Sequence, residues 1–391
     1  MVRVLHVCSL MCGGIETAVM NYYRHIDRNK IQFDFLCTFG DIKQLSVEQF
    51  YENEATMLGA RVFKLHSGMN PMLNPAYLHS FIRVIKKNSD IKIIHIHGSS
   101  PGNTALRAFL ARIAGLTIRI VHSHNVHNLS LARTMPRPFL RFFATHWLAC
   151  SLKAGRSLFG QHAFDKEVAK PLSEGSAAGI HSLAIKKNKA FLFPNAFNLE
   201  LFRFNPEIRL RVRDELNLGN MFVLLHVARL HPQKNQGFLL EAFSLAVKTR
   251  PEMILLIAGD GKLRAELEKK ASDLQITDKV RFLGVRKDVS DLLQAADIFV
   301  LPSLYEGLGI VAIEAQTAGL PCLLSDTITK EVKVTDLVEF VAIDRGAQIW
   351  AERLLDYHYF NRQDTLEDVH RAGYDIHAAA ERLLEFYLTS L

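Results

Sequence analysis

No stretch of this 391-residue chain approaches the roughly 20 uncharged apolar residues that a membrane-spanning helix requires. The start also lacks a secretory signal, because Met1 runs within a few residues into the apolar Val4-Leu5-His6-Val7 with no basic segment ahead of it. A cytoplasmic protein is expected on both counts. Cysteine is scarce and scattered: Cys8, Cys12, Cys37, Cys150 and Cys322 are odd in number and lack the paired spacing of a disulfide framework or a zinc site. Cys8 and Cys12 fall near a candidate site, where bystander thiols are the expected reading. There is no zinc finger, no aromatic–basic ribonucleoprotein signature and no arginine-rich tail, so nucleic acid ranks last among partners. Internal repeats and low-complexity blocks are missing too.

What remains is a chain with 49% hydrophobic and 22% charged residues, the balance of a soluble globular protein with a large core. Its length suits two domains of about 150–200 residues each. The net charge of +7 favours an anionic partner, such as a phosphorylated small molecule or an anionic membrane surface.

Short apolar runs alternate with amphipathic segments throughout, the pattern of parallel sheets covered on both faces by helices. In the first half, strands are predicted over Arg3–Leu10, Phe33–Phe39, Arg61–Leu65, Ile93–His97, Ile118–His122 and His146–Cys150. Helices are predicted over Glu16–Ile26, Val47–Leu58, Pro75–Lys87, Asn103–Ala114 and Pro138–Ala144. The second half repeats the alternation, with strands at Phe222–Ala228, Met253–Ala258, Val280–Leu283, Ile298–Leu301, Pro321–Ser325 and Glu339–Ile343. Its helices are Asn235–Lys248, Lys262–Leu274, Val289–Ala295 and Ile310–Ala318. The domain boundary is expected near Pro194-Asn195-Ala196, giving domains 1–195 and 196–375, with a charged loop onward to Asn220. Gln161–Lys189 shows no clear period and reads as a loop or insertion. The final helix, Ile376–Leu388, suits either domain, including a return onto the first.

Three segments carry candidate chemistry. Cys12-Gly13-Gly14-Ile15-Glu16 follows the first strand and opens a helix, so the backbone can approach a ligand and present free N–H groups to an anion. A plain strand-to-helix turn explains it equally well, and the stricter dinucleotide spacing of glycines is absent. Arg229 and Lys234, just past a strand, can clamp a diphosphate and stabilise the charge of its departure. The alternative there is a pair of solvated loop charges. In Pro302–Glu314, the N–H groups of Gly307, Leu308 and Gly309 can hold phosphate at a helix start. Glu314 sits on that helix among apolar neighbours, where a carboxylate needs hydrogen bonds such as ribose hydroxyls would give.

Glu306 and Glu314 form the E-x7-E spacing that resembles the retaining glycosyltransferases of family 4. Arg229 and Lys234 are similar to that family's Arg–Lys pair, and Gly13-Gly14-Ile15-Glu16 to its N-terminal glycine loop. Ala258-Gly259-Asp260-Gly261 and Phe282-Leu283-Gly284 stand where the family has similar turns. The likeness is dense from Ala190 to Asp326 and thinner from Arg3 to Ser151. It implies the α/β GT-B fold, two Rossmann-like domains whose parallel sheets face a central cleft. It also implies transfer of a sugar from a nucleotide-sugar, UDP-linked by expectation, to a glycan or lipid-linked acceptor in polysaccharide building. By the same resemblance Glu306 contacts donor-sugar hydroxyls and Glu314 the ribose. Arg229 and Lys234 hold the diphosphate with Gly14, Gly307, Leu308 and Gly309, and Val285 and Arg286 lie beside the base. A histidine near the transferred sugar is implied at Val121-His122-Ser123-His124-Asn125, with His124 preferred and His122 next. No cofactor or metal is expected.

His95-x-His97 and His122-x-His124 each place two rings on one face of a strand, a spacing able to bind metal. Asp90 is the only acidic residue nearby, so His95 and His97 are read as strand caps. Arg133–Phe143 mixes arginines with large apolar residues; it reads as a helix packed on its own sheet, with rest at an anionic membrane surface as the alternative. The competing functions are a nucleotide-sugar epimerase of the same fold, a non-catalytic nucleotide-sugar-binding subunit and, last, a metallohydrolase.

Overall fold

The computed structural model describes residues 1–11, 13–98, 100–126, 134–168, 189–358 and 361–391. Cys12, Arg133 and 169–188, which holds most of the aperiodic 161–189 segment, lie outside the described residues.

The chain divides into two compact units, Met1–Phe197 with Gly373–Leu391, and Asn198–Ala372. In the first unit β1 (Val2–Val7), β2 (Ile31–Phe39), β3 (Val62–His66), β4 (Ile91–Gly98), β5 (Ile118–Ser123), β6 (His146–Ala149) and β7 (Ala190–Leu192) form one sheet. All pairs are parallel, in the order β3-β2-β1-β4-β5-β6-β7. The second unit holds β8 (Phe222–Val227), β9 (Met253–Ala258), β10 (Val280–Gly284), β11 (Ile298–Leu301), β12 (Cys322–Ser325) and β13 (Val338–Val341). These are also parallel, in the order β10-β9-β8-β11-β12-β13. Helices cover both faces, which is why central strands such as β9 are buried along their whole length and read as continuous apolar runs. In each sheet the first strand lies between the second and the fourth. The order therefore reverses there, and ligands of such sheets gather beyond the carboxyl ends of those two strands.

Four readings from sequence need correction. β1 stops at Val7 and does not reach Leu10, because the Leu10 N–H is given to the Gln49 side chain rather than to a neighbouring strand. The helix expected over Val47–Leu58 is confined to Glu52–Met57, preceded by a 3-10 turn at Ile42–Ser46. Val47 and Met57, which supported the longer helix, face solvent. The supposed loop up to Asn220 contains the helix Pro206–Glu215. Asn205 caps it by accepting from the Glu207 and Ile208 N–H groups, and Pro206 opens it. Its residues are mostly charged because its buried contacts are ionic: Arg209 and Arg213 both reach the buried Asp297. Finally, Gln161–Glu167 is helical, anchored by Phe164, whose ring lies where a Cβ on Gly155 would stand.

The last helix, Ile376–Thr389, completes the first unit. Ile376, Ala379, Ala380, Leu383, Phe386 and Tyr387 recur at helical spacing and are buried in the core with Phe191 and Phe193. Asp375 caps it, accepting from the N–H groups of His377 and Ala378.

Candidate functional site

At the switch point of the second sheet, the loops after β8 and β11 lie side by side. His226, buried near the end of β8, places Nδ1 2.9 Å from the Val300 carbonyl of β11. Burial lowers that imidazole to about 4, so the ring is neutral. The turn that follows is pressed against the loop after β9. A Cβ on Gly259 would stand 2.0 Å from the Ala228 oxygen, and one on Gly261 2.2 Å from the Leu230 oxygen. The Leu230 N–H donates to Asp260 O across the same contact, at 3.0 Å. Arg229 emerges from this turn with its side chain exposed; among the described residues its guanidinium has no ion pair. Six residues on, Asn235 takes a left-handed conformation (φ 58°) that ends the turn Pro232–Lys234 and starts the helix Gln236–Thr249.

Lys234 thereby points its ammonium at Glu306, 2.5 Å from Oε1, with the carboxylate side chain only 8% exposed. The backbone locks the two loops together. The Leu304 N–H donates to Gln233 O at 2.8 Å, and the Gln233 amide donates to Tyr305 O at 2.7 Å. Gly307 and Leu308 are buried, and Gly309 (φ 84°) occupies the left-handed region just before the helix Ile310–Thr317. Glu314 is half-buried on that helix and, among the described residues, has no hydrogen-bond or ion partner for its carboxylate. Burial raises it to about 7. Val285 is exposed, whereas Arg286 is forked onto Asp288, with Nε 2.8 Å from the carboxylate. The structure thus brings Glu306, Lys234, Gly307, Leu308 and Gly309 together, with Arg229 at the mouth of the neighbouring turn and Glu314 one helical turn further on.

Gly14 and His124 belong to the first unit. Gly14 is the first residue of the helix Gly14–His25, and a Cβ there would meet nothing within 4 Å. A Cβ on Gly13 would lie 2.5 Å from the Glu16 carboxylate, the mobile end of a side chain that can swing aside, so neither glycine is sterically required. The reading of His95 and His97 as strand caps is overturned. Both lie inside β4 and are buried, and register sets His6 beside His95 and His97 beside His122. With His124 just past β5, these rings form a buried stack beneath Tyr387. Burial, reinforced by neighbouring imidazoles, holds His95, His97 and His122 well below the ordinary histidine value. It lowers His6 to about 3 and His124 to about 4 despite the opposing pull of Asp34 and Asn195 respectively. His6 and Tyr387 escaped notice in the sequence. The available signal was that His6 shares the inward, even-numbered face of β1 with Val4.

Two family models match the chain: "Glycosyltransferase Family 4" over residues 12–168 and "Glycosyl transferases group 1" over residues 209–356. EpsF of Bacillus subtilis (strain 168), which carries a glycosyltransferase name, is 33% identical across 98% of this chain and 96% of its own length. The chain belongs to the family 4 glycosyltransferases. An Escherichia coli relative of this glycosyltransferase, UDP-Gal:alpha-D-GlcNAc-diphosphoundecaprenol alpha-1,3-galactosyltransferase, is 32% identical over 64% of the chain and 61% of its own length. The crystal structure of Anabaena HepE in complex with UDP-glucose superposes with a TM-score of 0.74, covering 100% of both chains at 19% identity. WaaG, a glycosyltransferase involved in lipopolysaccharide biosynthesis, gives 0.65 over 99% of each chain at 15% identity. These likenesses show the shared GT-B fold.

In the described part of the glycosyltransferase no helix is long and apolar enough to cross a membrane. The Arg137–Phe143 helix buries Leu140 in the core of the first unit and leaves Phe139 and Phe142 64% and 66% exposed on its other face. Its arginines are engaged, Arg137 donating to Ser157 O and Arg141 to Phe159 O.

The Glu314 carboxyl gives a stability prediction. Its value is about 7 in the folded glycosyltransferase against an ordinary 4.5, so the native state holds the proton more tightly than the unfolded chain. The stability this contributes is full below pH 4.5 and is lost as pH rises through 7. Glu314→Gln removes that loss and is expected to stabilise the protein at pH 8 by on the order of 1–3 kcal/mol, with little change at pH 4.5. Denaturant titrations at the two pH values decide it; an equal shift at both would refute the assignment.

Proposed function

We propose that this glycosyltransferase takes a sugar from a UDP-sugar and places it, with retention of configuration, on a glycan or lipid-linked acceptor during polysaccharide assembly. The observation that carries the donor half is the meeting of Lys234 and Glu306 at the switch point of the second sheet, beside an unpaired Arg229 and an unpaired, half-buried Glu314. Arg229 and Lys234 take the diphosphate, and the N–H groups of Leu308 and Gly309 add donors at the helix start. Glu306 accepts from hydroxyls of the donor sugar, and Glu314 from the ribose. With two cations on the diphosphate, the site needs no metal there to stabilise the leaving group. Val285, exposed after Gly284, offers an apolar surface to the base. Arg286, tied to Asp288, acts as a brace of that loop.

The choice of a UDP donor and an undecaprenol-type acceptor is supported by the name of the Escherichia coli relative and by the UDP-glucose complex of HepE. The exposed Phe139 and Phe142, with Arg112 stacked 5.2 Å from the Phe142 ring, suit peripheral contact with the membrane that would carry such an acceptor. Retention is supported by family membership. The two glutamates are not read as a glycosidase pair, because Glu306 is held by Lys234 and Glu314 lies further along the helix; positioning and leaving-group stabilisation do most of the work.

Calorimetry with nucleoside diphosphates and nucleotide-sugars, with and without chelator, tests the reading. Wild type should bind UDP and one UDP-sugar regardless of chelator. Arg229→Ala should lose about 10-fold or more in UDP affinity, since one charge-assisted contact to phosphate is worth about 1.5–3 kcal/mol. Glu306→Gln should bind UDP but turn over slowly. Failure of wild type to bind any of these ligands would remove the donor assignment.

A further inference from the structure

The histidine stack in the first unit forms an unbroken chain of contacts. It starts at the Phe193 carbonyl, 3.2 Å from His122 Nε2, and continues from His122 Nδ1 to His95 Nε2 at 3.3 Å. His95 Nδ1 lies 2.6 Å from the Tyr387 hydroxyl, which is 3.4 Å from His6 Nε2. His6 Nδ1 meets His97 Nε2 at 3.0 Å, His97 Nδ1 meets His124 Nε2 at 2.8 Å, and His124 Nδ1 ends the chain 3.0 Å from Asn195 Oδ1. Both nitrogens of every ring are thus engaged.

Counting protons exposes a deficit. Five neutral imidazoles bring one N–H each and Tyr387 one O–H, six protons for the seven contacts. A donor at either end would supply the seventh, but the Phe193 carbonyl and the Asn195 oxygen both accept, so one contact is left without a hydrogen. The chain is one cation short. An extra proton would make an imidazolium, and all five rings are buried with no carboxylate in the chain of contacts to pair with it. Neutral imidazole lone pairs are instead what a borderline transition metal takes, and carboxylates are not required.

Geometry selects the position. One nitrogen each of His97, His122 and His124 lie within 4.8 Å of one another. Ligands 2.0–2.1 Å from a tetrahedral ion stand roughly 3.4 Å apart, so small ring movements close the site. Each of these rings already has an acceptor behind it: His6 Nδ1 for His97, the Phe193 carbonyl for His122 and Asn195 Oδ1 for His124. Such backing fixes the tautomer and orients a metal-ligating histidine. The alternative group, His6, His95 and His97, has Tyr387 rather than acceptors of this kind behind two of its rings. A cavity of about 20 Å³ lies against the five rings, closed on its other side by mostly apolar residues such as Ala18, Val19 and Leu383, and has the volume of about one small ligand such as water.

We propose that His97, His122 and His124 form a site for one late first-row transition-metal ion of the Zn²⁺ class. The site lies wholly within the first unit and is independent of the donor reading, whose cations stand in the second.

The full-length protein, stripped with chelator and dialysed, is titrated with Zn²⁺ by calorimetry and with Co²⁺ by visible absorption. Incubation is extended because no ring is more than 6% exposed. One equivalent per chain is expected, with the intense d–d bands of low-coordinate Co²⁺. His97→Gln should abolish both signals, with circular dichroism confirming that it folds. Asn195→Asp places a carboxylate behind His124 and should tighten Zn²⁺ binding about 10-fold or more. Absence of stoichiometric binding by wild type overturns the proposal. Binding unaffected by His97→Gln, or weakened by Asn195→Asp, overturns it as well.

Discussion

Lys234→Ala is expected to lower sugar transfer by about 10²–10³-fold and, in the same protein, to destabilise the fold by about 2–4 kcal/mol. The two effects have one source. The Glu306 carboxylate is 8% exposed and its cation lies 2.5 Å away. Removing the ammonium leaves a desolvated charge unpaired, which costs far more than the pair itself gains. Under the proposed function the same ammonium also stabilises a leaving diphosphate in turnover, an effect realised mainly in the transition state. A double variant separates the roles. Adding Glu306→Gln to Lys234→Ala neutralises the stranded carboxylate and should restore most of the stability while leaving transfer as slow as before. Thermal unfolding and a radiolabelled-sugar transfer assay on the single and double variants measure both. If Lys234→Ala transferred sugar at the wild-type rate, the pairing would be structural only and the donor site would lie elsewhere.

Gly259→Ala should be the most damaging of the small substitutions around the loops after β8 and β9. Gly259 has φ 132°, outside the region open to alanine, and a Cβ would stand 2.0 Å from the Ala228 oxygen and 2.8 Å from its carbonyl carbon. Neither backbone atom can rotate away as a side chain could. The turn bearing Arg229 must move, or Gly259 must. A loss of about 3 kcal/mol or more follows from strain and clash together. In a unit of this size that lowers its unfolding midpoint by about 6–12 °C. Gly219→Ala is the control: its φ of 50° is also positive, but nothing lies within 4 Å of the added methyl, so only about 1 kcal/mol is expected. UDP binding should weaken in Gly259→Ala and stay unchanged in Gly219→Ala. Equal midpoints for the two variants would show that the turn is looser than its contacts indicate.

The strands, most helices and the loops after β8 and β11 were legible in the sequence because each depends on neighbours close along the chain. Met253–Ala258, Pro75–Lys87 and Val289–Ala295 have the bounds that apolar patterning and capping predict. Glycines flanked by a strand and a helix marked the loop at Pro302–Gly309 in the same local way. Where the reading failed, burial was supplied from far away. The Pro206–Glu215 helix has no apolar stripe because it packs through arginines onto Asp297, more than 80 residues on. Ile376–Thr389 showed its apolar face plainly, but a face does not name its partner; contact with Phe191 and Phe193 placed it on the first unit. The sequence thus determined the two parallel α/β units and the residue types in the loops after β8 and β11, since period and turn chemistry are local properties. Only the tertiary structure decided that Lys234 meets Glu306 and that histidines from β1, β4 and β5 meet Tyr387 in one buried stack. Strand order and register, which no short window of sequence contains, set those distances.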